Sequence, residues 1–140
     1  MEPDELLEIS KKAAENSYSP YSRFRVGAAI LCADGSVVSG ANVENRSFGL
    51  TNCAERTAVF SAVASGKRDF LAIAITCLDA DSPVSPCGAC RQVISEFMSP
   101  DGPVYFQDAG GNIVKTTVGG LFPYDALHDL ADRRESREGS

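Results

Sequence analysis

The sequence contains no tryptophan, a single histidine and fewer positive than negative charges. Thirteen Lys and Arg against nineteen Asp and Glu give a net charge of −6 at pH 7, whereas nucleic-acid binding requires a basic patch. No apolar run approaches the roughly 20 residues that cross a bilayer, and acidic residues rather than a signal peptide follow Met1. We therefore expect a cytoplasmic protein that binds neither nucleic acid polymers nor membranes.

Cysteine is also scarce, since five residues are too few, and odd in number, for a disulfide scaffold. In a reducing compartment such cysteines more often bind metal or take part in catalysis. The single histidine, His128, has no partner at metal-ligand spacing, and we interpret it as a surface or satisfied residue. With 140 residues, 44% of them hydrophobic, the chain is long enough for one domain with a sizeable core.

Apolar periodicity predicts helices that alternate with strands. The predicted helices are 4–16, with Asp4 as N-cap, 53–65, 87–98 and 121–130. The predicted strands are 24–32, 36–41, 70–78, 104–107 and 113–118, and Asp34–Gly35 joins the first two as a hairpin. This order predicts an α/β fold, a three-layer α/β/α sandwich with a mixed sheet of about five strands. We expect one domain over 1–130 and a flexible tail over 131–140.

Two short segments place cysteine at the start of a predicted helix. Cys53 and Glu55 open one helix, and Cys87 and Cys90 open another. Two cysteines one helical turn apart face the same point, and Cys53 can complete a set of three thiolates around zinc. Three protein ligands with an open position are typical of catalytic zinc, whereas structural zinc has four. Glu55, two residues after a ligand, is well placed to exchange protons at the open position.

The other cysteines and two arginines have supporting roles. Cys32 and Cys77 lie in predicted strands among apolar neighbours, where a free thiol packs as a small hydrophobic group. Three thiolates around Zn²⁺ leave one negative charge, which weakens the metal as a Lewis acid. We predict that Arg56, more than Arg91, offsets this charge by donating hydrogen bonds to the sulfurs. A surface ion pair is the alternative for both arginines.

Three blocks of the sequence resemble the small zinc-dependent cytidine deaminases that act on free nucleosides. They are YSPYSRFRVGAA at 18–29, GANVENRSFGLTNCAER at 40–56 and PCGACRQVISEF at 86–97. The resemblance covers residues 5–125 and includes the known zinc-deaminase signature, a ligand two residues before Glu and then Pro-Cys-x-x-Cys. It implies hydrolysis of cytidine and 2′-deoxycytidine to uridine and 2′-deoxyuridine plus ammonia, a reaction of pyrimidine salvage.

The resemblance implies which residues perform this chemistry. Cys53, Cys87 and Cys90 would bind one zinc ion per chain. Glu55 would take a proton from water, deliver it to ring N3 and then help to protonate the leaving amine. A residue that serves several transfers should cost more on removal than the factor of about 10²–10⁴ that is typical of one acid–base contact.

The resemblance also implies a nucleoside subsite. Asn42 and Glu44 would hold the ribose 3′-hydroxyl, Phe24 would lie beside the nucleoside, and the backbone of Ala54 would contact the base. Without the resemblance, Asn42 would be interpreted as a turn residue, Glu44 as a solvated carboxylate and Phe24 as part of the core.

Similar short enzymes are homotetramers in which neighbouring subunits complete each site. The segment 45–50 matches the part that reaches across, with Phe48 where the family often has tyrosine. The family's C-terminal aromatic residue is missing, because Ala126 stands at its place. Either Phe122 or Tyr124 replaces that aromatic ring, or the pocket is more open. We expect a homotetramer with shared active sites.

Three other functions are open to such a sequence. A blasticidin-type or modified-nucleoside deaminase shares the zinc motifs, but generally lacks the Asn-x-Glu pair formed here by Asn42 and Glu44. A non-catalytic zinc-stabilised binding module would not need Glu55 and would require a fourth ligand. A thiol redox pair formed by Cys87 and Cys90 would leave the other cysteine motif unexplained.

Overall fold

A five-stranded sheet forms the centre of the structure, a computed structural model that describes residues 1–127. The helices are α1 (Pro3–Ala14), α2 (Ala54–Ala64), α3 (Gly88–Phe97) and α4 (Val118–Leu121). The strands are β1 (Val26–Cys32), β2 (Val37–Ala41), β3 (Phe70–Cys77), β4 (Pro103–Gln107) and β5 (Ile113–Thr117). A short 3₁₀ turn, Phe48–Leu50, lies between β2 and α2.

The strand order is β2-β1-β3-β4-β5, and the sheet is mixed as predicted. β1 pairs antiparallel with β2 and with β3, and β4 pairs antiparallel with β5. Only β3 and β4 are parallel within the described residues, and α3 lies in the crossover between them. β3 is buried along nearly its whole length, which explains its continuous apolar run. Gly35, with φ of 88°, turns the β1–β2 hairpin.

Helices cover both faces of the sheet and confirm the three-layer α/β/α prediction. On one face α1 packs against Ala29, Ala72 and Ala74 of the strands. On the other face α2 and α3 pack side by side over the larger core cluster. Two glycines allow the helices to approach, since a Cβ on Gly27 would lie 2.1 Å from the Ser10 carbonyl oxygen and one on Gly40 2.6 Å from the Ala58 nitrogen.

Two predicted details of the helices are wrong. α1 begins at Pro3 with Glu2 as its N-cap, so Asp4 lies in the first turn and does not cap the helix. Proline suits the first helical position because its fixed φ and missing N–H cost nothing there. The predicted helix over 121–130 is also interrupted, because residues 122–125 are not helical. Pro123 accounts for this break, since the residue before proline disfavours the helical region.

Some expectations concern the C-terminus. His128 and the predicted tail over 131–140 lie outside the described residues. Within 1–127, no helix has both the length and the hydrophobicity that a membrane span requires.

Candidate active site

Three cysteine sulfurs meet where the N-termini of α2 and α3 come together. Cys53 is the N-cap of α2 and Cys87 the N-cap of α3, and Cys90 lies one turn into α3. The Sγ atoms of Cys53 and Cys87 are 3.8 Å apart, and those of Cys87 and Cys90 are 3.4 Å apart. Helix N-termini carry partial positive charge, which stabilises thiolates placed there. We call Cys53, Cys87, Cys90 and the neighbouring Glu55 the cysteine end.

The donor set fits a zinc ion. Zinc binds thiolate sulfur at about 2.3 Å, so two sulfurs at a tetrahedral angle lie about 3.8 Å apart. All three sulfurs lie within 4.8 Å of one another, and within residues 1–127 no fourth His, Cys, Asp or Glu joins the group. Three soft ligands and one open position are therefore available.

Cys53 and Cys90 influence each other's ionisation. A hydrogen bond from Cys90, together with bonds from Arg56 and Cys87, lowers the pKa of Cys53. The same bond to Cys53, together with burial, raises the pKa of Cys90. The cluster thus stabilises a first negative charge and opposes a second. A divalent cation would relieve that opposition, because thiolates are the form that binds metal.

The two arginines next to the motifs have different contacts. Nη2 of Arg56 donates to Sγ of Cys53 at 3.3 Å, and this bond raises the pKa of Arg56. Nε of Arg56 is buried without a hydrogen-bond partner in the described part of the chain. The predicted bond from Arg91 to a sulfur is not among those that the described residues make. Its three nitrogens donate instead to oxygens of Pro86, Leu121 and Ser85 at 2.8–3.1 Å, so Arg91 links the segment before Cys87 to α4.

Glu55 is a buried carboxyl group in the first turn of α2. It is 4% exposed, and burial is the main cause that raises its pKa. Glu55 also lines the cavity that opens beside the cysteines. A carboxyl group with a raised pKa gives up its proton less readily than an ordinary carboxyl group, which brings it closer to the pH range in which general acid–base groups act.

The cavity has a volume of about 250 Å³. Its walls are formed by Ser22, Phe24, Val26, Asn42, Glu44, Thr51, Cys53, Ala54, Glu55, Ile75, Val84, Ser85 and Cys87. Three residues of the cysteine end, Cys53, Glu55 and Cys87, thus line one cavity together with Ser22, Phe24, Asn42 and Glu44, and we call these last four residues the loop end.

Asn42, just after β2, is buried and almost fully bonded. Its Oδ1 accepts from the Ser17 hydroxyl and from the Val26 backbone N–H, the latter at 3.0 Å. Its Nδ2 donates to the Phe24 carbonyl oxygen at 2.9 Å. An amide nitrogen has two N–H groups, so one donor is left among the bonds that the described residues make.

Glu44 is bonded in a complementary way. Its Oε1 accepts from the backbone N–H groups of Tyr21 and Ser22, each at 3.0 Å. Its Oε2 accepts from the Ser22 hydroxyl, and this bond is the main cause that lowers the pKa of Glu44. A carboxylate oxygen offers two lone pairs, so Oε2 retains one acceptor position in the described structure.

The remaining predicted site residues lie in contrasting places. Phe24 is 49% exposed and lines the cavity, so it is not part of the core. Ala54 is fully buried, yet it also lines the cavity. Phe48 is 74% exposed, and its ring contacts that of Tyr21 edge-on, with centroids 5.9 Å apart. Tyr124 is 91% exposed and does not line the cavity of its own chain.

Nor does Phe122, which is half-buried, line the cavity of its own chain, and Ala126 is exposed. Cys32 and Cys77 are buried in β1 and β3, which confirms their interpretation as core residues. All five cysteines are free.

Sequence reasoning did not identify several cavity residues. These are Ser22, Val26, Thr51, Ile75, Val84 and Ser85. Ser22 lies inside the block 18–29, but its proximity to Glu44 depends on the pairing of two segments about twenty residues apart. Only a prediction of that pairing could have identified it.

Comparisons with known proteins agree on one family. Residues 1–106 match the family model described as "Cytidine and deoxycytidylate deaminase zinc-binding region". A cytidine deaminase from Sporosarcina psychrophila is 52% identical over 123 residues, which cover 88% of this chain and 90% of that protein. The crystal structure of cytidine deaminase from Burkholderia pseudomallei superimposes with a TM-score of 0.84 at 48% identity, covering 88% of this chain and 98% of that one. A blasticidin-S deaminase from Bacillus cereus is 35% identical over 126 residues, which cover 85% of this chain and 88% of that protein.

Proposed function

The chain belongs to the cytidine and deoxycytidylate deaminase family, and we propose that it hydrolyses cytidine and 2′-deoxycytidine to uridine and 2′-deoxyuridine with release of ammonia. One observation carries the proposal: a single cavity is lined by cysteines of a zinc-fitting cluster and the buried carboxyl group of Glu55, and also by the polar side chains of Asn42 and Glu44. The family resemblance found in the sequence agrees with the two cytidine deaminases among the three relatives named above.

In this proposal the cysteine end performs the chemistry. Cys53, Cys87 and Cys90 hold one zinc ion, with Arg56 offsetting the charge of the thiolates. When bound, zinc makes water nucleophilic near neutral pH by lowering its pKa from about 15.7 to about 7.

Glu55 moves the protons. It accepts one proton from the attacking water and delivers it to ring N3 of the base. It then takes the remaining proton of the added hydroxyl and passes it to the amino group, which leaves as ammonia while C4 becomes a carbonyl. The overall reaction consumes one water and releases one ammonia. Burial supports this role, because it raises the pKa of Glu55 toward the range in which a group both takes and gives protons.

The loop end holds the sugar. One remaining N–H on Asn42 and one remaining lone pair on Glu44 match a single hydroxyl, which accepts from the amide and donates to the carboxylate. We assign this position to the 3′-hydroxyl. Because the pair serves one hydroxyl, it does not require a 2′-hydroxyl, which supports turnover of both cytidine and 2′-deoxycytidine. Phe24 lies beside the nucleoside, and the Ala54 backbone contacts the base.

The loss of cytidine absorbance in the ultraviolet, measured together with ammonia release, tests the proposal. Cytidine and 2′-deoxycytidine should be consumed, whereas cytosine lacks the sugar and should react poorly. Blasticidin S is the comparison substrate because a blasticidin-S deaminase is among the relatives. Consumption of blasticidin S with no turnover of cytidine would replace the proposal by that second function.

We also propose a homotetramer with shared sites. Phe48 and Leu50 are 74% and 71% exposed, more than any other large apolar side chain in residues 1–127 except Tyr124, and Phe48 lies beside Ser22 and Glu44 of the loop end. A second chain would cover them and bring Phe48 to a neighbouring cavity. Light scattering should give four times the chain mass of 14.8 kDa, and a monomeric active protein would exclude shared sites.

The location and the domain organisation are separate proposals. The five free cysteines support a reducing compartment such as the cytoplasm. The two core clusters lie on opposite faces of one sheet, which supports one catalytic domain over 1–130. Domain limits can be tested by limited proteolysis, which should leave a stable fragment that ends near residue 130.

A further inference from the structure

We propose that Ser22 is a positioning residue that sets the preference for a 3′-hydroxyl, by orienting the carboxylate of Glu44 toward the cavity. The inference rests on the proposed function and adds a residue to which neither the sequence motifs nor the comparisons assign a role. Ser22 lines the cavity, although it does not have to touch the substrate for this role.

The contacts of Glu44 explain why Ser22 decides its orientation. The two backbone N–H groups of Tyr21 and Ser22 occupy Oε1 completely. The Ser22 hydroxyl takes one of the two lone pairs on Oε2. Three bonds from two adjacent residues therefore fix both the position of the carboxylate and its rotation. The one remaining lone pair has a single direction, which a bound hydroxyl can use.

Ser22 is itself held in place. Its Oγ accepts from the Phe24 backbone N–H at 3.1 Å, so the same hydroxyl links Glu44 to the residue beside the nucleoside. Arg23, between them, has φ of 61°, a left-handed conformation that is uncommon for residues other than glycine. Such a conformation persists where surrounding contacts hold it, and here the Arg23 N–H donates to the Ser19 carbonyl at 2.9 Å.

Backbone pairing brings the two segments together. The Tyr18 N–H donates to the Asn42 carbonyl at 3.0 Å, and the Glu44 N–H donates to the Tyr18 carbonyl at 2.8 Å. Neither of these backbone bonds involves the Ser22 hydroxyl. Its loss should therefore free the rotation of the Glu44 carboxylate while leaving the segments in place.

The test uses substrates with and without the 3′-hydroxyl. In Ser22→Ala, KM for 2′-deoxycytidine should rise about tenfold, the size expected for a misplaced hydrogen bond to a charged group, with kcat within about twofold. For 3′-deoxycytidine, kcat/KM should stay within about twofold of the unmodified protein. Ser22→Thr keeps the hydroxyl and should restore most of the preference.

Ser36→Ala is the matched control. Ser36 also donates to a carboxylate, Oδ1 of Asp34 at 2.6 Å, but it lies in the β1–β2 turn, away from the cavity. The kinetic constants for both substrates should therefore stay unchanged in this variant. If Ser22→Ala does not fold, Ser22→Cys keeps a weaker donor of similar shape and should show a smaller rise in the same direction.

Two results would overturn the inference: an unchanged KM for 2′-deoxycytidine, or an equal loss with both substrates. The proposed function fails in a different way, namely when the unmodified protein does not consume cytidine.

Discussion

At the cysteine end of the cavity every side chain stands on the first turn or the N-cap of a helix, and α2 and α3 pack into the core behind them. At the loop end the side chains stand on irregular segments before β1 and after β2, and hydrogen bonds between the segments hold them. Helices thus position the side chains of the cysteine end, whereas side-chain hydrogen bonds position those of the loop end. Substitutions at the cysteine end should affect turnover, whereas those at the loop end should affect binding and folding together.

The largest effect is expected for Glu55→Gln. Because Glu55 serves several proton transfers in the proposed mechanism, kcat should fall by more than about 10⁴-fold, while zinc content and KM change little. Ultraviolet assays and metal analysis measure these quantities. Glu96→Gln, an exposed change on α3, is the control and should behave as the unmodified protein. If Glu55→Gln retains turnover, Glu55 does not transfer the protons. The contrast between a cysteine end that governs turnover and a loop end that governs binding would then fail.

Asn42→Ala should weaken both substrate binding and folding stability. KM for cytidine should rise about 10–100-fold, and the free energy of unfolding should fall by about 2 kcal/mol, because Asn42 also holds the Val26 N–H and the Phe24 carbonyl. Substrate kinetics and denaturant unfolding measure the two effects. The exposed change Asn16→Ala should alter neither. A rise in KM without any loss of stability would contradict the dual role that the contacts imply.

Arg56→Lys should lower the zinc affinity of the cysteine end without changing the loop end. Lysine keeps the charge but cannot place a planar guanidinium against Cys53, so zinc affinity should fall about tenfold. Competition with a chelator measures this affinity. Arg68→Lys is the control, since Arg68 is exposed and, among residues 1–127, donates only to the backbone carbonyls of Val63 and Lys67. Equal zinc affinity in the two variants would show that the arginine–sulfur bond does not support the metal.

The smallest effect concerns pH at the loop end. The Ser22 hydrogen bond lowers the pKa of Glu44, so this carboxylate stays ionised in the folded protein below the ordinary value of about 4.3. Its contribution to stability is complete above that ordinary value and is lost only as pH falls through the lowered one. KM for cytidine should accordingly be constant from about pH 8 to about pH 5. A rise in KM that begins above about pH 6 would contradict an ionised Glu44.

The fold could largely be predicted because its central strands, β1, β3 and β4, are mostly buried. The continuous apolar run of β3 and the Asp34–Gly35 turn of the β1–β2 hairpin are local signals, and both elements form where predicted. The errors also have local causes. Pro3 moves the start of α1 ahead of Asp4, and Pro123 interrupts the last predicted helix.

The cysteine end could be predicted from the sequence, whereas the contacts of the loop end could not. Cys87 and Cys90 are three residues apart on one helix, so the sequence alone places their sulfurs together. Ser22 and Glu44 meet only because the segments that carry them pair through Tyr18. No local pattern encodes that pairing, so the partners of Glu44 required a structure.

Removal and re-addition of zinc test the central claim, that the cysteine end performs the deamination. Chelation of the isolated protein should abolish cytidine turnover, and added zinc should restore it in proportion, with a break at about one ion per chain. Full turnover by metal-free protein, or a break at a different stoichiometry, would contradict the account.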